Sequence, residues 1–151
     1  MNGAQFLTNL NNFDKLLLDT DVLNYIARKT HKLSPKFRPL VRNKILAISF
    51  ITVAEVHFGI FKEESSSNKW QNFWTKRVFP NLVVLYPDYR TCEIFGKLRA
   101  EDKQHVPHRN THFPDLWIAA CAIQFNLPLL TNNIKHFKHI RNLKLIRIPE
   151  N

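Results

Sequence analysis

Glycine is scarce in this chain, with three among 151 residues. That argues against glycine-rich phosphate loops and against repeat architectures. The two cysteines, Cys92 and Cys121, have no CxxC or CxxH neighbourhood. A disulfide scaffold or zinc centre is therefore not expected, and a reducing compartment fits. The first residues, MNGAQFLTNLNNFDK, lack the basic start and apolar core of a signal peptide. No apolar run approaches the roughly 18 residues that span a bilayer. The expectation is a cytoplasmic protein with no membrane contact. Acids are also few, 12 against 22 lysines and arginines, which leaves a formal net charge of +10.

The basic surplus is uneven. No acid lies between Asp21 and Glu55, while Arg28, Lys29, Lys32, Lys36, Arg38, Arg42 and Lys44 crowd that interval. Lys135, Lys138, Arg141, Lys144 and Arg147 form a second run. Such clusters suit nucleic-acid phosphate, because binding releases counterions. A solvated basic face or an acidic protein partner is the plainer alternative. At 44% hydrophobic residues, a folded single domain is expected.

Short apolar strands alternate with helical stretches. Leu16–Leu18, Ile45–Ser49, Leu82–Leu85, Leu129–Leu130 and Leu145–Ile148 read as strands. Val22–Ala27, Thr52–Phe61, Lys69–Phe79, Tyr89–Lys103 and Asp115–Phe125 read as helices, with His136 and Phe137 in a short helical turn. Ser34-Pro35 and Arg38-Pro39 read as punctuation between two short helices. Gln104–Phe113 reads as a loop carrying His105, His108, Arg109 and His112. The order predicts an α/β fold, a three-layer α/β/α sandwich around a mostly parallel sheet. Sites in such sheets lie beyond the carboxyl ends of the strands, where Asp19 and Thr131 fall.

Three of the few acids sit in apolar surroundings: Asp19 in LLLDTDVL, Glu55 in FITVAEVHFGI and Asp115 in FPDLWIAACAI. An ionised carboxylate is costly to bury unless it is paired, hydrogen-bonded or metal-bound. Asp19 and Asp115 could each simply cap a helix, and Glu55 could pair with a distant cation. Converging, the three would form a site for a hard cation such as Mg²⁺ or Mn²⁺, acting on phosphate. Thr20, Ser49 and Thr52 could support that site with hydroxyls, or could cap backbone ends. Trp70, Phe73 and Trp74 fall at helical spacing and read as core rather than as a partner stripe.

The segments LLLDTDVLNYI, ILAISFITVAEVHFGI and FPDLWIAACAIQFNLPLLTNNIKHFKHI resemble, in that order, the three signature blocks of PIN-domain ribonucleases, and most of all the VapC-type toxins of bacterial toxin–antitoxin pairs. The resemblance runs from Leu16 to Ile148. It divides the chain into an N-terminal extension, 1–15, and a PIN-like nuclease domain, 16–151. It implies a Mg²⁺- or Mn²⁺-dependent endoribonuclease that cleaves structured RNA, such as tRNA, with metal-activated water. Asp19, Glu55 and Asp115 then match the catalytic metal-binding acids. Asn133 stands where some members have a further Asp, and His136 where members often carry Asp or Glu. Asp21, Thr131 and His136 would support the site. Arg28, Lys29, Lys32, Lys36, Arg38, Arg42 and Arg109 would hold RNA phosphates. A VapB-like antitoxin and a homodimer are the implied protein partners. A non-catalytic PIN-like RNA-binding module is the alternative from a different class. A metal-free reaction run by His105, His108 and His112 is a third reading, and would leave cyclic phosphate ends.

Overall fold

The computed structural model describes residues 3–63, 67–105 and 113–147. Six strands form one sheet: β1 (Gln5–Leu7), β2 (Lys15–Leu18), β3 (Ile45–Ser49), β4 (Val83–Leu85), β5 (Leu129–Leu130) and β6 (Lys144–Ile146). Their order is β1-β6-β5-β2-β3-β4, and every pairing is parallel. Seven α-helices are present among the described residues: α1 (Thr20–Ala27), α2 (Ser34–Val41), α3 (Phe50–Lys62), α4 (Ser67–Phe73), α5 (Tyr89–His105), α6 (Phe113–Gln124) and α7 (Ile134–Phe137).

Side chains alternate across a strand, so each central strand feeds two cores. Leu17, Ala47, Leu129 and Leu145 face one way and pack with Leu98, Leu116 and Ile118 of α5 and α6. Leu16, Leu18, Ile48, Leu130 and Ile146 face the other and pack with Val22, Phe37, Val56 and Trp74. This is why β2 and β5 read as unbroken apolar runs: neither face meets water. The three-layer α/β/α expectation holds, with a sheet that is wholly parallel.

Several local expectations change. The prolines at 35 and 39 do not separate two helices but both lie within α2. Pro35 occupies its first turn, where a missing amide hydrogen costs nothing. Pro39 forfeits one helical hydrogen bond, and burial of Phe37 and Val41 holds the helix against that loss. The helix expected over 69–79 runs instead as α4, a π-turn at Trp74–Val78 and a 3₁₀ turn at Phe79–Asn81. Trp74 is buried, as expected of a core residue, while Trp70 is half-buried. The expected loop loses Gln104 and His105 to α5 and Phe113 to α6; its remainder, 106–112 with His108, Arg109 and His112, lies outside the described residues, as does position 148 of the last expected strand.

The segment before Leu16 contributes β1, which docks on β6. Ala4 donates its amide to the Lys138 carbonyl (2.9 Å), Gln5 to Leu143 (2.7 Å), and Arg147 donates to Leu7 (2.8 Å). At Gly3, a Cβ would fall 2.3 Å from the Lys138 carbonyl oxygen, so the approach needs glycine. Elsewhere asparagine takes the left-handed positions. Asn43, Asn126 and Asn142 have φ of 61°, 52° and 62°, and each sits just ahead of a strand. Asparagine tolerates that region better than other non-glycine residues. Cys121 is a buried free thiol whose pKa burial pushes up to about 11. No helix among the described residues is long and apolar enough to cross a membrane.

Candidate active site

All strands run one way, so the carboxyl ends of β2, β3 and β5 share a rim. Asp19 follows β2 directly and caps α1, its Oδ1 accepting the Thr20 amide at 2.8 Å. Its Oδ2 accepts the Thr131 hydroxyl at 2.7 Å, from the residue that follows β5. Asp19 is 4% exposed. The capping reading of the sequence is therefore realised, with the second carboxylate oxygen turned to β5.

Glu55 reaches the same rim from α3. It accepts a short hydrogen bond from the Thr20 hydroxyl, which also lies 3.0 Å from the Thr52 hydroxyl. Thr20 thus bridges Glu55 and Asp19, donating its hydroxyl to one carboxylate and its amide to the other. Asp115, in the first turn of α6, lies 3.0 Å from His136 Nδ1 through its Oδ2. Asn133 donates its side-chain amide to Asp21 at 2.8 Å and its backbone amide to the Thr131 hydroxyl at 2.9 Å. Ser49 behaves as the capping reading has it: its hydroxyl accepts the Thr52 amide at the start of α3. That use, rather than contact with the carboxylates, is where the structure places it.

Burial pushes the Asp19 carboxyl up to about 6. The Thr131 hydrogen bond pulls it back, and the charges of Asp115 and Asp21 push it further up. Asp19 forms no ion pair among the described residues. A buried carboxylate beside two like charges has a site's chemistry rather than a scaffold's, since structural acids are normally paired. A hard dication is the species that would reverse the sign of that environment. Among the described residues, no three His, Cys, Asp or Glu side chains are drawn together tightly enough to hold an ion as they stand. The fit rests on donor chemistry, all carboxylate oxygen, rather than on a finished cage.

Of the basic residues expected to hold RNA, Arg28, Lys29, Lys32, Lys36, Arg38 and Arg42 are all exposed on the α1–α2 side. Arg109 lies outside the described residues. Two cations of this segment, Arg38 from the set and the neighbouring Lys44, are structurally engaged. Arg38 donates to the Ile26 carbonyl near the end of α1 (3.0 Å), and Lys44 donates to the Leu10 (2.8 Å) and Phe13 carbonyls. Sequence reasoning missed a second buried acid, Asp102 on α5, which lies 3.3 Å from His139 and 3.9 Å from Arg99. It also missed a cavity beside Glu55. Neither has a sequence signal, because each depends on which helices meet.

Comparison with known proteins identifies the fold. The PIN domain family matches residues 16–143. Ribonuclease VapC1 of Haemophilus influenzae is 34% identical over 131 residues, covering 85% of this chain and 93% of its own. Ribonuclease VapC2 of Rickettsia felis is 34% identical, with 85% and 94% covered. Among solved structures, VapBC2 of Rickettsia felis bound to a DNA fragment from its promoter superposes with a TM-score of 0.73 at 30% identity, covering 87% of this chain and 96% of that one. VapBC-1 of nontypeable Haemophilus influenzae superposes with a TM-score of 0.66 at 30% identity and the same coverage. The parallel sheet with its covering helices is thus a known fold, and the chain belongs to the PIN-domain family, among the VapC ribonucleases.

Proposed function

We propose that this protein is a Mg²⁺- or Mn²⁺-dependent endoribonuclease, the toxin of a type II toxin–antitoxin pair, acting in the cytoplasm on structured RNA such as tRNA. One observation carries the reading. Asp19 is buried at the sheet rim, under the charges of Asp115 and Asp21 and joined through Thr20 to Glu55, on a chain of net charge +10. Asp19, Glu55 and Asp115 would hold the ion, with Asn133 as a further oxygen donor. The ion, when bound, would lower the pKa of water and offset charge on the phosphate.

The chain's own groups do the rest. Thr131 and the Thr20 amide fix both Asp19 oxygens. Thr20 and Thr52 orient Glu55, and His136 orients Asp115. The exposed cations from Arg28 to Arg42 draw in the RNA backbone and set its position without reading sequence. Water oxygen bonds to phosphorus as the bond to the 3′ oxygen breaks, leaving 5′-phosphate and 3′-hydroxyl ends. Relatives solved as VapBC complexes support a VapB-type antitoxin as partner, and a homodimer is proposed on the same family footing.

The test is cleavage of tRNA with Mg²⁺, Mn²⁺ or EDTA, by the wild type and by Asp115→Asn, with the ends mapped. Metal-dependent cuts bearing 5′-phosphates, lost in the variant, support the proposal. Cleavage that survives EDTA with cyclic phosphate ends would transfer the reaction to the histidines. RNA binding without turnover under any divalent ion would make the protein a binding module.

A further inference from the structure

A cavity of about 270 Å³ opens between α1, α3 and α4, immediately beside the carboxylate rim. Its walls include Asn24, Arg28 and His31 from α1 and the turn after it, Glu55 and Gly59 from α3, and Trp70 from α4. Glu55 therefore lines the cavity and also belongs to the site. The Arg28 guanidinium lies 4.7 Å over the Trp70 ring. His31 is stacked on Tyr25 with ring centroids 4.5 Å apart.

Gly59 is the informative residue. It sits within α3, where glycine costs about 1 kcal/mol relative to alanine. A Cβ there would meet nothing within 4 Å. The turn thus needs no glycine, and no packing demands one. What the missing side chain leaves is space, in the wall of the cavity.

We propose that this cavity is a nucleobase subsite: it takes one unstacked base of the RNA, laid on the Trp70 indole, while the flanking phosphate meets Arg28. This rests on the ribonuclease reading and assigns the substrate contact nearest to its acids. Three features favour a base over a peptide side chain. The volume suits one heteroaromatic ring system. The indole is already held against a planar cation, the arrangement a base replaces by stacking, leaving the guanidinium for phosphate. The exposed cations Lys29, Lys32 and Lys36 belong to the same segment as the lining residues Arg28 and His31, and complement a polyanion. Glu55 and Glu63 also line the cavity. With Glu55 committed to the ion, the Glu63 carboxylate would repel a phosphate placed inside but accept from an exocyclic amino group, which uracil lacks, so the subsite should take adenine, cytosine or guanine in preference to uracil.

The test uses the full chain carrying Asp115→Asn, to slow cleavage, and a fluorescein-labelled single-stranded 12-nucleotide RNA as probe. Gly59→Leu should fill the cavity while leaving every carboxylate-bearing residue in the chain. It should weaken binding about ten-fold, while leaving the thermal midpoint unchanged or raised, since leucine is the better helix former. Trp70→Leu should weaken binding similarly. An all-uridine probe should bind more weakly than an adenosine-rich one, and that difference should vanish in Gly59→Leu. Binding by both variants equal to that of the parent would overturn the subsite, even if the wild type still cleaves RNA. If the variants keep RNA but lose a protein partner, the cavity is a protein site and the proposal is wrong. If the parent itself binds no RNA, the subsite and the ribonuclease reading fall together. Loss of cleavage in Asp115→Asn with full binding by every variant would sink the subsite alone.

Discussion

Thr131 donates its hydroxyl to Asp19 Oδ2 at 2.7 Å, across 112 residues of sequence. The bond ties the end of β5 to the end of β2. It also lowers a carboxyl pKa that burial has raised. Thr131→Val keeps the shape and removes the donor. We expect the Asp19 pKa to climb above 6, with the acid limb of the cleavage profile moving to higher pH. Stability should fall by roughly 1–3 kcal/mol. A pH–rate profile unchanged from the wild type would show that this bond does not tune the site.

Asp19 itself should make the metal-free protein weaker at neutral pH. Its folded pKa of about 6 lies above the ordinary 3.8. The folded state therefore binds the extra proton between those values, and stability falls as pH rises through them. A shift of that size corresponds to roughly 3 kcal/mol. Asp19→Asn removes the dependence. In EDTA, its advantage over the wild type in urea unfolding should grow by about that amount between pH 4 and pH 7. Cleavage should drop roughly 100-fold or more. Added Mg²⁺ should raise the wild-type midpoint and leave the variant's unmoved. Parallel curves for the two proteins across this range would contradict the assignment.

His136 meets Asp115 at 3.0 Å and is expected to orient it. His136→Ala should cost about 10- to 100-fold in cleavage or in metal affinity, the usual effect of losing an orienting partner. His136→Gln, which can still donate, should recover part of this. If alanine and glutamine behave alike, orientation is not the role of the imidazole.

The basic segment divides into free and engaged cations. Lys32→Glu should weaken RNA binding and reduce its salt dependence by about one counterion, leaving stability nearly unchanged. Lys44→Met should do the reverse, because the Lys44 ammonium holds the Leu10 and Phe13 carbonyls. Fluorescence anisotropy across a salt series, paired with thermal melts, separates the two.

Asn142 turns the chain into β6 at φ 62°. Asn142→Ala should destabilise by about 1–2 kcal/mol, and Asn142→Gly by less. Equal effects in denaturant unfolding would mean that the backbone conformation is not the cause.

The sheet was legible because its strands are short unbroken apolar runs where both faces are covered, as at Leu16–Leu18 and Ala47–Ile48. Asp19, Glu55 and Asp115 were legible as candidates because charge in apolar context is costly. Thr20 was legible as a hydroxyl that could support the site; that it joins Asp19 to Glu55 was not, since this depends on how α1 meets α3. The strand at Gln5–Leu7 escaped notice because three edge residues carry no periodic signal. Both prolines of α2 misled, because local propensity lost to the burial of Phe37. The Arg28–Trp70 contact depends on how α1 meets α4, which spacing along the chain does not encode.

The docking of β1 also bears on how the molecule keeps to itself. With Gly3 seated against Lys138, the first strand covers the outward backbone groups along β6, among them the Leu143 carbonyl and the Arg147 amide. A chain trimmed to begin at Leu16 would present that apolar ladder to solvent, an open template for another copy. Such a shortened protein should fold around the same acids yet precipitate, so the opening residues guard solubility more than they serve cleavage.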